Sequence, residues 1–398
     1  MKQLVVAPSF PFSSHTFVTR EVASSLHSGD DVWVLAPSTG DAMGEEFCSQ
    51  VGFPRDRVIY LNYLRCRPFS LDLTRFSRSV AKAAMPEVYG RVLGEQRKTF
   101  FARLLRDERL RNIDLIHAHF IGWGYRVAVP LATLMGVPVT VTAHEVELPD
   151  LATADLRYVQ ENAQVITVVS SEYLKHWVKL TGSDDRLRVV HNGVDLGEFG
   201  ELHDRPDVHG RRVRLVSVSR LVPHKRIADG IKAVRMLVNN GIDVEYAVVS
   251  DGPERPALES LRADLDLTDR VRLCGFLPRK KVVEELLHAD ILVHPSEAEG
   301  FGVAVAEGMA AGLPTVVARS GGVLDIVAHG RSGYLYEPGD LNSLVGHVAS
   351  LANDTDKRLA FGRAGREIAE AQFSWQHHMK EMGRAWHDAL SEPVGRRG

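Results

Sequence analysis

The residues best placed to do chemistry lie in one stretch, His294 to Asp325, which reads HPSEAEGFGVAVAEGMAAGLPTVVARSGGVLD. Glu297 and Glu299 precede a glycine turn made of Gly300, Phe301 and Gly302. Glu307 follows Glu299 by eight positions, inside a run of small apolar residues spaced for a tightly packed helix. Gly312 stands where such a helix should end. Asp290 to Val293 reads as the end of a buried strand, and Pro314 to Ala318 as a second one leading into Gly321-Gly322. The order is strand, glycine turn, helix, strand, glycine turn. The N–H groups of Gly300 to Gly302 and of Gly321-Gly322 can converge on a phosphate, and the helix dipole adds positive potential there. Carboxylates beside an anion site repel it unless they face hydroxyls, so a ligand carrying both phosphates and sugars is expected. Glu307 could be a solvated helix residue. Its neighbours Ala306, Gly308, Met309 and Ala310 leave the helix almost no polar face, however, and a lone carboxylate there needs a partner.

Other candidates sit at predicted strand ends. Ser219, Arg220 and Lys225 follow a buried strand and precede a helix, a place where two cations suit a diphosphate; taken alone they could be solvated charges. Asp251 and Gly252 lie in the loop after the next strand. His144 ends the strand Val137 to Thr142, where open parallel sheets place ligands. His117 and His119 share a spacing that metal sites use, but no further ligand accompanies them in the sequence, so they read as polar residues at a strand end. Ser13, Ser14 and Thr16 offer hydroxyls and N–H groups at a helix start, where capping is the ordinary role. Motifs of the GxGxxG, phosphate-loop lysine and GxSxG types are missing.

The elements that must hold these residues alternate. Strands are expected at Leu4 to Ala7, Val32 to Ala36, Val58 to Leu61, Ile113 to His117, Val137 to Thr142, Val165 to Val169 and Leu187 to Val190, with helices between them. Residues 37 to 60 otherwise read as irregular. A polar stretch at 196 to 211 reads as a linker, after which the alternation restarts at Val213 and closes with a helix from Trp375. The pattern predicts an α/β chain of two tandem doubly wound, Rossmann-like domains: 1–200, 201–372, and a final helical segment 373–398. A chain of 398 residues suits two domains. Its net charge of −3 argues against a nucleic-acid partner. Three isolated cysteines argue for a reducing compartment, without disulfides or zinc. The N-terminus reads as a strand and not a leader, and no stretch reads as a membrane span. Residues 65 to 111 hold twelve Lys and Arg against five Asp and Glu. A solvated helix face is the first reading of that segment; contact with an anionic membrane surface or an anionic acceptor is the other.

Taken together, the block Ser219 to Lys225, the loop Ser250-Asp251-Gly252, the block Glu299 to Glu307, Gly321-Gly322 with Asp325, and the turn Asn192-Gly193-Val194-Asp195 resemble the family 4 retaining glycosyltransferases of the GT-B fold. The resemblance runs along essentially the whole chain. It implies two domains facing a central cleft, with the acceptor on the N-terminal domain and a nucleotide sugar on the C-terminal one. It implies that Glu307 contacts ribose, that Glu299 and His144 lie at the donor sugar, and that Arg220 and Lys225 neutralise the diphosphate. Gly300, Phe301, Gly302, Asp251, Gly252, Ser219 and Ser14 complete the expected donor site, and the last helix is expected to cross back onto the N-terminal domain. No metal or other cofactor is implied. The loop Phe10 to Val18 is similar to that of enzymes building colanic-acid-type exopolysaccharides, although His15 stands where that subgroup usually has Glu.

The expected function is transfer of a sugar from a nucleoside-diphosphate sugar to a hydroxyl of a glycan, lipid-linked or small-molecule acceptor, with retention of configuration, in the cytoplasm or at the inner face of the membrane. A sugar-nucleotide epimerase of the same fold and a non-catalytic nucleotide-sugar-binding module are the alternatives.

Overall fold

The computed structural model describes residues 1–12, 15–61, 101, 103–144, 153–201 and 211–392. Ser14, Glu145 and most of the basic segment lie outside them. The chain divides into two compact units. Unit 1 comprises Met1–Val168, His176–Arg188 and Met382–Gly398, and unit 2 comprises Val169–Lys175 and Val189–Glu381.

The first half of the chain runs β1 (Lys2–Val6), α1 (Thr16–His27), β2 (Asp31–Ala36), α2 (Ala42–Gln50), β3 (Val58–Tyr60), β4 (Leu115–His119), α3 (Trp123–Met135), β5 (Val139–Ala143), α4 (Thr153–Asn162), β6 (Val165–Val168), α5 (Ser171–Thr181) and β7 (Leu187–Val189). The strands form one sheet in the order β3-β2-β1-β4-β5-β6-β7. Strands β1, β4, β5 and β6 are buried over nearly their whole length. Burial on both faces leaves β1 and β6 mostly apolar, while β4 (LIHAH) and β5 (VTVTA) bury histidines and threonines among their apolar residues. On one face Val18 and Val22 of α1 pack with Val5, Val32 and Val34.

Helix α2 departs from the irregular reading of residues 37 to 60. Asp41 caps it, its carboxylate accepting from Gly44 N at 2.7 Å. Only Phe47 and Cys48 give it an apolar side, too short a stripe to reveal a helical period.

The second half runs β8 (Val213–Val218), α6 (Ile227–Asn239), β9 (Val244–Val249), α7 (Arg255–Asp264), β10 (Val271–Gly275), α8 (Arg279–His288), β11 (Ile291–His294), α9 (Val303–Ala310), β12 (Thr315–Ala318), α10 (Val323–Ile326), β13 (Gly333–Tyr336), α11 (Leu341–Ala352), α12 (Thr355–Gln372) and α13 (Trp375–Ser391). Its six strands lie in the order β10-β9-β8-β11-β12-β13 and pair in parallel. Apolar clusters cover both faces of this sheet, one built around Ile231, Val234 and Leu344, the other around Val305, Met309 and Phe301.

The strand order reverses between β8 and β11. In such sheets the crevice outside the carboxyl ends of those two strands is where ligands bind. Ser219-Arg220 comes directly after β8, and the loop to Gly302 comes directly after β11.

Helix α9 begins at Gly302, which has φ 102, with no side-chain cap. It ends as expected: Gly312 N donates to Met309 O, and Leu313 N to Gly308 O. The turn Asn192 to Asp195 is built into unit 2 as well. Val194 N donates to Phe373 O at 2.8 Å, and Trp375 N donates back to Val194 O at 2.9 Å. Among the described residues no helix is long and apolar enough to cross a membrane.

Candidate active site

Unit 2 gathers most of the expected residues at the switch point of its sheet. Glu299 lies in the loop after β11, and one of its oxygens meets two cationic or potentially cationic groups. It accepts from Lys225 Nζ and lies 2.7 Å from His294 Nε2. Burial pushes the Glu299 carboxyl up, but His294 and Lys225 outweigh it and hold the group at about 2. Glu299 is therefore a carboxylate at neutral pH, with a lysine and a histidine already attached. His294, the last residue of β11, did not stand out in the sequence, because nothing there showed that the loop folds Glu299 back over the strand end.

Lys225 ends a short helical turn, Pro223–Lys225, whose geometry sets the ammonium against Glu299. Its neighbour Arg226, with φ 50, ties the turn to the same loop: it donates to Asp229 Oδ2 at 2.8 Å and to Glu297 Oε2 at 2.9 Å. Glu297 N also donates to His224 O at 2.9 Å. Glu297 thus braces the loop. Arg220 is exposed and has no ion pair among the described residues, which leaves its guanidinium free to meet an anion. Ser219 N donates to Val249 O, which fixes the exit of β8 beside β9.

The glycine turns have different jobs. Among the described residues, no N–H of Gly300, Phe301 or Gly302 donates to a backbone carbonyl, so these donors remain for a ligand at the start of α9. Of the Gly321-Gly322 N–H groups expected to converge on phosphate, that of Gly322 is already taken, donating to Glu299 O at 3.0 Å. This pair is glycine because two backbones touch. A Cβ on Gly321, which has φ +52, would lie 1.9 Å from Glu299 O, and one on Gly322 would lie 2.3 Å from Gly300 O. Asp251 holds its own loop: Oδ1 accepts from Gly252 N at 2.8 Å and Oδ2 from Arg255 at 3.0 Å.

Glu307 is buried on α9 and has the partner its surroundings demanded. Its Oε1 pairs with Arg279 Nη1 at 2.7 Å, and Arg279 Nε donates to Glu198 Oε2 at 2.8 Å. Burial works against the Arg279 charge, but Glu307 and Glu198 outweigh it and raise its pKa above the ordinary value. The sequence reading missed both residues. Glu198 fell in the supposed linker, and Arg279 appeared as one of three successive basic residues at a helix start. The ring of Phe301 packs against His191 and Phe373, with centroids 5.6 Å away in each case. His191 and Ser171 N both bind Asp325 Oδ2, at 3.0 and 2.6 Å. This scaffold fixes the Gly-Phe-Gly turn from behind.

In unit 1, His144 follows β5 and stacks on His119, whose Nδ1 lies 3.0 Å from His144 Nε2. Burial, and then the neighbouring His119, lower the His144 pKa well below its ordinary value. His144 is a neutral imidazole at pH 7, able to exchange hydrogen bonds with hydroxyls. His117 and His119 were expected to lack a ligand-type companion. That expectation is corrected: Glu21 of α1 brings Oε1 to 3.2 Å from His119 Nε2 and 3.6 Å from His117 Nε2. The available sequence signal was its place on the buried stripe of α1 with Val18, Val22 and Ser25.

Comparisons with known proteins fit these two units. Residues 16–198 match the family described as Glycosyltransferase Family 4, and residues 200–368 match Glycosyl transferases group 1. The amylovoran biosynthesis glycosyltransferase AmsK of Erwinia amylovora is 25% identical, over 95% of this chain and 97% of its own. The putative colanic acid biosynthesis glycosyltransferase WcaL of Escherichia coli K12 is 24% identical, over 94% of this chain and 96% of its own. Among solved structures, Anabaena Alr3699/HepE in complex with UDP superposes with a TM-score of 0.75 at 20% identity, over 97% of this chain and 100% of that one. The fold is GT-B, with two Rossmann-like domains.

Proposed function

We propose, for a chain whose residues 16–198 match Glycosyltransferase Family 4 and whose residues 200–368 match Glycosyl transferases group 1, that the switch point of unit 2 binds the diphosphate and sugar of its donor. The enzyme is a nucleotide-sugar-dependent, retaining glycosyltransferase. The observation that carries the site assignment is the convergence of Arg220, Lys225, Glu299 and the Gly300 to Gly302 N–H groups at the carboxyl ends of β8 and β11. Arg220, Lys225 and the N–H groups at the start of α9 take the diphosphate, so that transfer requires no metal ion. Glu307, oriented by Arg279, accepts from the ribose hydroxyls. Glu299, with Lys225 and His294 fixing its oxygen, faces the hydroxyls of the sugar. Asp251, Gly252 and Ser219 shape the loops around it, and Phe301 holds the turn. In unit 1, neutral His144 offers a ring nitrogen to a sugar hydroxyl; Ser14 lies outside the described residues.

Retention follows if the leaving diphosphate itself accepts the acceptor proton. Negative charge grows on that diphosphate as the glycosidic bond breaks, and Arg220, Lys225 and the α9 N–H groups stabilise it most at that moment. The acceptor oxygen then attacks from the face the leaving group departs from. We assign the acceptor, a glycan, lipid-linked or small-molecule hydroxyl, to the N-terminal domain, and the donor to the C-terminal one.

HepE was solved with UDP, which makes UDP and UDP-sugars the first ligands to test. In a thermal-shift panel of nucleoside diphosphates and their sugars, the true donor at a hundredfold its Kd should add about 2.7 kcal/mol to stability. If no nucleotide in the panel shifts the melt, the site assignment falls.

A further inference from the structure

Glu21, His117 and His119 are all buried and lie within 4.8 Å of one another. None of them has a role in the transfer described above. A carboxylate shut away from water needs a compensating cation or well-aimed donors. His119 Nε2 does not serve as such a donor. Although it stands 3.2 Å from Glu21 Oε1, it makes no hydrogen bond among the described residues.

The spacing fits a shared ion. Four ligands at 2.0 to 2.1 Å around a tetrahedral zinc stand about 3.3 Å apart, and Glu21 Oε1 lies 3.2 Å from His119 Nε2 and 3.6 Å from His117 Nε2. The outer ring nitrogens are also occupied as metal-binding histidines require. His117 Nδ1 lies 2.8 Å from Thr140 Oγ1, and His119 Nδ1 lies 3.0 Å from His144 Nε2. With Nε2 on a metal, both Nδ1 atoms carry protons and donate to these partners. Thr142 Oγ1 is hydrogen-bonded to His117 Nε2 at 3.2 Å and to Thr167 Oγ1 at 2.5 Å; with a metal on Nε2 its proton turns to Thr167. The edge of Trp386 faces the His117 ring at 5.8 Å and helps keep the place dry.

We propose that Glu21, His117 and His119 bind one divalent transition-metal ion of the zinc class, pinning α1 to the carboxyl end of β4. Two imidazoles and one carboxylate select zinc or cobalt over magnesium or calcium, which prefer oxygen ligands alone.

The full chain is grown in zinc-supplemented medium, desalted, and assayed for metal by mass spectrometry; a cobalt(II)-loaded sample is read by visible absorption. The proposal expects about one zinc per chain, the intense visible bands of low-symmetry cobalt, and loss of both in His117→Asn, His119→Gln and Glu21→Gln. A chelator should lower the Tm of the wild type and leave that of His119→Gln where it was. Wild-type protein that retains no zinc and shows no cobalt bands overturns the proposal, whatever the variants do. So does zinc retention that is equal in wild type and all three variants, which would place the ion on other histidines.

Discussion

Replacing Lys225 with methionine should expose how tightly the loop carrying Glu299 is held by charge. The Glu299 carboxyl stands at about 2 against an ordinary 4.5. A shift of that size corresponds to about 3 kcal/mol of stability at neutral pH. Because the folded value is the lower one, this contribution is complete above pH 4.5 and is lost as pH falls through about 2. His294 and Lys225 share the work against burial. Removing Lys225 should therefore cost about 2 kcal/mol at pH 7, since a buried carboxylate is left with one partner. Glu299→Gln should cost about 1–2 kcal/mol, because it leaves the lysine facing an amide. The double variant should recover about 1–2 kcal/mol relative to the sum of the singles. Urea midpoints at constant m, measured for all four proteins, give the coupling. The gap between wild type and Lys225→Met should also narrow as pH is taken from 5 toward 3, because the variant's carboxyl protonates first. Additive single variants, together with a gap that does not move with pH, would refute the claim that this pair holds the loop.

Other perturbations separate the roles assigned at the site. Glu307→Ala should weaken nucleoside diphosphate and donor sugar by the same factor in calorimetric titration, because a ribose contact is uniform binding; equal affinity to wild type would remove Glu307 from the site. Arg220→Ala should lower kcat more than it raises the Kd of the donor, by about tenfold to a hundredfold in turnover. Unchanged turnover at saturating donor would make Arg220 a surface charge. Gly321→Ala drives a Cβ to 1.9 Å from Glu299 O and should cost about 2 kcal/mol or more and abolish nucleotide binding; a wild-type melting temperature would show that the two loops can part without penalty.

Much of this was legible because the chemistry sits where the chain changes period. The continuous apolar runs gave the strands, and the residues at their ends, Ser219, Arg220, Glu299 and His144, came with them. Gly312 ended its helix as its type required. Partners brought in from far along the chain stayed hidden. Arg279 reaches Glu307 across 28 positions and Glu198 across 81, and no local pattern ties the three together. Glu21 reaches His117 across the 96 positions that separate them, so a pair of histidines looked solitary. Glycine permits both close ligand approach and close backbone packing, so the sequence did not reveal that Gly321-Gly322 packs against the Glu299–Gly300 backbone and that Gly322 N donates to Glu299 O. Helix α2 was missed because Asp41 capping and two buried side chains suffice to make a helix without leaving a stripe.

The configuration of the product tests directly whether the leaving diphosphate is the base. An enzyme that uses the leaving diphosphate as its base delivers the acceptor to the face from which that diphosphate departs. Proton NMR of the linkage formed from an α-linked UDP-sugar, or from whichever α-linked donor the thermal-shift panel selects, reads the outcome through the coupling between H1 and H2 of the transferred sugar. An α linkage is expected; a β linkage from an α donor would contradict both the mechanism and the roles given to Arg220, Lys225 and Glu299.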